Sequence, residues 1–149
     1  MTPADEAFEL HPRLLADTTP VGDLPLCRVL LAREDIGPWL ILVPRRAGLR
    51  EIHHMADSDR DQFMVESAAV ATLLETAFGA DNLNIAALGN LVPQLHVHHV
   101  ARFEGDAAWP APIWGNTRGE PRDEASQAEL VERIAAGLER TGLAPARSG

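Results

Sequence analysis

"PQLHVHHVAR", residues 93–102, decides how the rest of the chain is read. Leu95, Val97, Val100 and Ala101 are apolar and partly β-branched, which suits a strand. Successive side chains in a strand point to opposite faces. Gln94, His96, His98, Val100 and Arg102 then share one face, and Leu95, Val97, His99 and Ala101 share the other. The second face reads as core. Three closely spaced histidines are therefore not one cluster. His96 and His98 pair about 6–7 Å apart along the strand, with Gln94 beside them. His99 points away.

Working outward, "NLNIAAL" (82–88) reads as a strand and "GNLVP" (89–93) as a turn, so the two strands form a hairpin. "WLILVP" (39–44) is an unbroken apolar run bounded by prolines, which predicts a central strand covered on both faces. One main helix cannot cover both alone, and a second subunit is one way to supply the rest. Residues 14–34 read as a strand, a Pro/Gly/Asp turn from Pro20 to Pro25, and a second strand at 26–33. Ser58, with Asp61 three residues on, resembles a weak capping box and opens a helix over 58–78. Phe63, Val70, Leu74 and Ala77 recur at helical spacing in it, and Gly79 stops it. A long Gly-, Pro- and Trp-rich loop follows the histidine strand. A second helix spans 123–141, with Leu130, Ile134 and Leu138 on one stripe. Residues 1–13 read as a loose lead-in with room for one helical turn, and "TGLAPARSG" as a mobile tail. The sum is a single α+β domain over residues 1–149. It has about five antiparallel strands, one main helix and a C-terminal helix.

Composition narrows the function classes. The 149 residues can bury roughly 70% of the unfolded chain's surface in one core. No apolar run reaches the ~18 residues of a membrane span, and "MTPADEAFEL" lacks the order of a signal peptide. A cytoplasmic protein with no membrane contact is expected. A net charge of −9 gives nucleic acid no basic field. All 13 basic residues are arginine, which removes Schiff-base, P-loop and lysyl-nucleotide chemistry. Cys27, the one cysteine, allows no internal disulfide and reads as a small core residue.

The chemistry lies with His96 and His98. Three uses fit the pair: half of a metal site, a nucleophile with a neighbouring acid or phosphate clamp, or an inert pair. A metal would need further ligands, from His53, His54, Asp57 or Glu104, and none sits at a diagnostic spacing. Simpler readings serve the remaining marked residues. His99 is a satisfied core histidine, and His53 and His54 are surface residues. Arg45 and Arg46 form a solvated turn. Arg102 pairs with Glu104 or Asp106. Trp109 and Trp114 suit a nucleotide cover or a dimer seam equally.

"LGNLVPQLHVHHVAR" (88–102) resembles the signature of the histidine-triad (HIT) family of nucleotide hydrolases and transferases, His-φ-His-φ-His-φ-φ with φ apolar. It is most similar to a bacterial branch with Leu-Gly-Asn before the motif. "WLILVPRRAGLREI" and "WPAPIWG" also look like family segments, so the resemblance covers about 26–115 and leaves 116–149 outside. It implies a HIT-like fold and a homodimer whose sheets join. His96 falls at the nucleophilic middle histidine and His98 at the last histidine. Gln94 stands in place of the first, and Asn90, next to Gly89, lies in the phosphate-contacting turn. Trp39 stands where many members carry a supporting histidine, so the Gln94 and Trp39 departures could be coupled. Arg33, Glu34 and Asp35 lie near the expected ribose site, with Glu34 the candidate contact.

The implied activity is metal-free cleavage at the α-phosphate of a nucleotide conjugate, of adenosine phosphoramidate or dinucleoside polyphosphate type. It passes through a covalent nucleotidyl-His96, with no cofactor. The alternatives are a non-catalytic nucleotide-binding protein and an H-x-H metalloenzyme. An imidazole nucleophile needs a free ring nitrogen, with the other ring N–H held by an acceptor such as a backbone carbonyl. His98 and Asn90 would serve the phosphoryl oxygens, and a protonated His98 the leaving group. A rate that depends on neutral imidazole falls below about pH 6, where free histidine (~6.5) protonates.

Overall fold

A computed structural model describes residues 7–146 of the chain. The strands are β1 (Thr18–Asp23), β2 (Cys27–Ala32), β3 (Trp39–Pro44), β4 (Asn82–Ala86), β5 (Val97–Arg102) and β6 (Ala144–Pro145). They form one six-stranded antiparallel sheet in the order β4-β5-β3-β2-β1-β6. The helices are α1 (Pro12–Asp17), α2 (Asp57–Thr76) and α3 (Glu124–Gly137). This is the α+β class expected, with one strand and one short helix more than the sequence reading found.

The apolar run of β3 sits between β2 and β5 and sorts the core by parity. Leu40 and Leu42 face the main cluster, with Phe63, Val70 and Leu74 of α2 and Ile134 of α3. Ile41 and Val43 face the other side, where Leu14 and Val92 join them and Phe8, Leu10 and Trp39 pack alongside. Burying each such large side chain stabilises by roughly 1.5–3 kcal/mol. The second cover of β3 therefore comes from this chain's own N-terminal segment and the turn before β5. The sequence offers a second subunit as one source of that cover, and here the chain's own segments supply it.

Other boundaries differ for local reasons. Residues 14–17 are helical because His11 caps α1, its Nδ1 accepting the Arg13 N–H at 3.1 Å, and Pro12 occupies the first turn. β1 runs through Pro20 and Gly22, read as a turn, and a register shift between them absorbs the proline. A Cβ on Gly22 would lie 2.4 Å from the Ala144 carbonyl oxygen, so glycine is what lets β6 dock there. That docking orders the segment through 146, read as a mobile tail; residues 147–149 and 1–6 lie outside the described residues. α2 starts at Asp57 with Ala56 as its cap and no side-chain bond, so Ser58 is inside the helix. Among the described residues no helix is long and apolar enough to cross a membrane.

β5 is hydrogen-bonded on both edges, to β3 and β4, which fixes its backbone. His98 pairs with Ile41 and His99 with Leu40, so the two side chains leave on opposite faces. His96 lies just ahead of the strand, where Leu95 N–H bonds the Leu49 carbonyl at 2.9 Å.

Candidate functional site

A cavity of about 670 Å³ opens on the Ile41 face of the sheet. Arg13, Leu14 and Asp17 wall it on one side, and Arg33 and Glu34 at the end of β2 on another. Trp39, His96 and His98 form its floor. The turn from Leu88 to Val92 and residues from 113 to 121 complete the rim. Six of the seven residues expected at the site meet in this one cavity: His96, His98, Asn90, Gly89, Trp39 and Glu34.

Hydrogen bonds fix the protons of both imidazoles. His96 Nδ1 lies 2.7 Å from the Gln94 carbonyl oxygen. A carbonyl only accepts, so Nδ1 carries the proton and the Nε2 lone pair faces the cavity. His98 shows the opposite pattern. The Trp39 indole Nε1–H donates to His98 Nδ1 at 3.0 Å. An indole only donates, so Nδ1 holds a lone pair and the neutral ring carries its proton on Nε2. The two ring centres are 5.0 Å apart. The site thus sets a nucleophile-type nitrogen beside an N–H donor. Among the described residues, neither Nε2 has a partner.

Electrostatics bears on the leaving-group role of His98. Burial, and then the nearby His96 and His99 rings, hold His98 down to about 3. In the free site His98 is thus a neutral ring near neutral pH, which offers a hydrogen bond rather than a spare proton.

Gln94 is the expected site residue that stands apart. Its Oε1 accepts the His11 N–H and its Nε2 donates to the Glu9 carbonyl, both at 2.8 Å. The amide lies in a smaller neighbouring hollow and ties the N-terminal segment down ahead of α1. Trp39 bonds His98 and packs edge-on to Trp114, so the two departures from the triad pattern are not in contact. What Gln94 brings to the cavity is its backbone carbonyl, on His96.

In the wall from 113 to 121 the sequence marks Trp114 as a candidate cover, but not the residues after it or their partners. Thr117 Oγ1 donates to Glu34 Oε1 at 2.6 Å. Asp35 N–H bonds the Glu120 carbonyl at 2.8 Å, and Arg122 N–H the Arg33 carbonyl at 2.7 Å. The Arg122 guanidinium reaches the carbonyls of Glu34 and Gly37. Beyond residue 115 only loop composition marks the segment, and composition carries no pairing partner. Arg13 was hidden in the lead-in read over residues 1–13, and Asp17 by reading 14–17 as strand.

The remaining marked residues serve structure. His99 Nδ1–H donates to the Val97 carbonyl at 3.0 Å, and its Nε2 accepts the Ser67 hydroxyl at 2.7 Å. His53 and His54 are exposed on a short 3₁₀ turn. Arg46 bonds Asp59, and Arg45 bonds the carbonyls of Leu24 and Pro25. Arg102 makes a two-pronged bond to Asp106 and holds the following loop through the Ala111 carbonyl. Trp109 packs on Arg102, away from the cavity, whereas the Trp114 ring lies 5.2 Å from His98. The buried Cys27 thiol is pushed up, by burial first and then by Glu66. Among the described residues no three His, Cys, Asp or Glu side chains are grouped to hold a metal ion, so His96 and His98 remain a two-donor pair.

Residues 14–105 match the model of the HIT domain family. A histidine triad protein from Marinobacter aquaeolei is 43% identical with a TM-score of 0.88, covering 91% of this chain and 99% of that one. One from Bradyrhizobium japonicum is 46% identical with a TM-score of 0.82, covering 91% and 98%. One from Sinorhizobium meliloti is 43% identical with a TM-score of 0.86, covering 89% and 98%. No curated protein matches the chain.

Proposed function

Because this chain belongs to the HIT family, we propose that it cleaves nucleotide conjugates at the α-phosphate through a covalent nucleotidyl-His96, and that it does so without a cofactor. One observation carries the reading: His96 has Nδ1 committed to a carbonyl and Nε2 open on the cavity. That is what an imidazole nucleophile requires at neutral pH.

In the first step His96 Nε2 attacks the α-phosphorus. The bond to the leaving group breaks and takes its electron pair with it. The positive charge left on the ring spreads to Nδ1–H, which the Gln94 carbonyl stabilises. His98 Nε2–H, Asn90 and the backbone N–H groups of the Gly89–Asn90 turn serve the phosphoryl oxygens. In the second step water attacks the same phosphorus and loses a proton to solvent. The P–N bond breaks, and a nucleoside monophosphate leaves. Glu34 is the carboxylate we assign to the ribose hydroxyls. Adenylyl or another purine nucleotidyl is the group transferred, and a second nucleotide, an amine, a sugar or a protein side chain would be the group released.

We read Gln94 as the residue at the first triad position, in the manner of a bacterial branch. The relatives from Marinobacter, Bradyrhizobium and Sinorhizobium agree with a bacterial source. A cytoplasmic homodimer goes with this reading: β4 is an edge strand, and Ile85 on it is half exposed, so a second copy can continue the sheet.

One observation favours a second reading. The Gln94 amide is turned away from the cavity, which leaves two imidazoles where the triad has three. A non-catalytic nucleotide-binding protein would look like this. AMP release in EDTA from adenosine phosphoramidate and from a dinucleoside polyphosphate separates the two. Release by the wild type and none by His96→Ala supports catalysis. Nucleotide binding with no AMP from either supports the binding module.

A further inference from the structure

Trp39 and His98 have a consequence for the leaving group. The indole N–H occupies the only lone pair on which neutral His98 could take a proton. Protonating His98 would break that bond and set two N–H groups against each other. The groups facing His98 offer no substitute. His96 gives its Nδ1 proton to the Gln94 carbonyl, and its Nε2 is consumed by the attack. Trp114, with its ring 5.2 Å away, carries only an indole N–H. Gln94, which cannot ionise in any case, points into the neighbouring hollow.

We propose that Trp39 locks His98 as a neutral Nε2–H donor, and that the site therefore prefers conjugates whose leaving group departs as a phosphate-type anion over those that release an amine. This rests on the nucleotidyl-His96 reading. When Nε2 of His96 attacks a phosphoanhydride, the P–O bond breaks and the electron pair stays on an oxygen that is stable as an anion. A hydrogen bond from His98 suffices there. When it attacks a phosphoramidate, the P–N bond breaks and the nitrogen must gain a proton before or as it leaves. None of the groups facing His98 holds one to give. General acid help is worth about 10²–10⁴-fold where it is needed, and that is the scale of the preference. Trp39 is a positioning residue in this account, since it acts through His98.

Two readouts test it together. The first is kcat/KM at pH 7 for a dinucleoside polyphosphate against adenosine phosphoramidate; a ratio above about 100 is expected. The second is the ring nitrogen spectrum of ¹⁵N-histidine-labelled protein, in which His98 should show Nε2 protonated and Nδ1 bare. In Trp39→Phe, which keeps an aromatic ring but loses the donor, a population protonated at Nδ1 should appear and the substrate ratio should shrink. Equal or better cleavage of the phosphoramidate overturns the preference. A wild-type His98 protonated on Nδ1 overturns the lock without any variant, so a misfolded Trp39→Phe does not shelter the idea. Cleavage of neither substrate overturns the nucleotidyl-His96 reading and the preference with it, and the ring spectrum then still reports separately whether the lock exists.

Discussion

The two faces of β5 carry the same side chain and put it to opposite ends. On the helix face, His99 spends both ring nitrogens inside the protein, one on the Val97 carbonyl and one on Ser67. On the cavity face, His96 and His98 each spend only Nδ1 and leave Nε2 over. A histidine with both nitrogens satisfied is a core polar group that pins α2 to the sheet. A histidine with one nitrogen satisfied is oriented and still able to react. Residue type and spacing do not make that distinction; the partners do.

Substitutions can break this contrast, and the largest effect should come from His96. His96→Ala should lower AMP release by at least ~10⁴-fold, since it removes the atom that forms the intermediate, while thermal stability stays within a few degrees. His98→Ala removes one donor to the phosphoryl oxygens, so kcat should fall about 10²–10³-fold. Steady-state kinetics checks both, and a mild effect at either position would place the chemistry elsewhere in the cavity.

On the other face the readout is stability rather than rate. His99→Leu strands the Ser67 hydroxyl in the core and should cost about 1–3 kcal/mol in urea unfolding, with kcat little changed. The buried rings also make stability depend on pH. Burial holds folded His99 down to about 4 and His98 to about 3, although the bond to the Val97 carbonyl pulls His99 the other way. The unfolded chain takes these protons near ~6.5. Below that pH the unfolded state binds more protons than the folded one. Their contribution is therefore complete above about pH 6.5 and is lost as pH falls toward 4 and then 3. Urea midpoints at pH 7.5 and 5 should differ in that direction; equal midpoints would mean the two rings charge in the folded protein. The smallest effect is expected at Gln94. Gln94→Ala keeps the carbonyl on His96 but frees the N-terminal segment, so about 1 kcal/mol of stability goes and KM rises more than kcat falls.

The face assignment was legible in the sequence because strand parity depends only on counting. It put His96 and His98 together and His99 in the core, while the unbroken apolar run of 39–44 put β3 at the centre. The carbonyl acceptor for His96 was legible too, as a chemical requirement rather than a location. Partners distant in the chain were not legible. Gln94 reads as a member of the histidine face, yet its amide is claimed by Glu9 and His11, more than eighty residues earlier. Trp39 reads as a lost histidine and turns out to be the residue that sets the His98 proton. The short helix α1 was misread because residues 14–17 were joined to the β-branched Thr18 and Thr19 that follow. Leu and Ala behind a capping histidine and a first-turn proline favour helix instead. The strand β6 was missed because two residues carry no periodicity and their pairing depends on Gly22 far upstream.

The covalent intermediate is the claim on which the rest depends. The most direct test mixes protein with a cleavable adenosine conjugate, quenches within a single turnover under alkaline conditions that preserve phosphorus–nitrogen bonds, and digests for mass spectrometry. The account predicts an adenylyl group on the peptide that contains His96, appearing before free AMP and absent in His96→Ala. AMP produced at the full rate with no adduct on that peptide would contradict it.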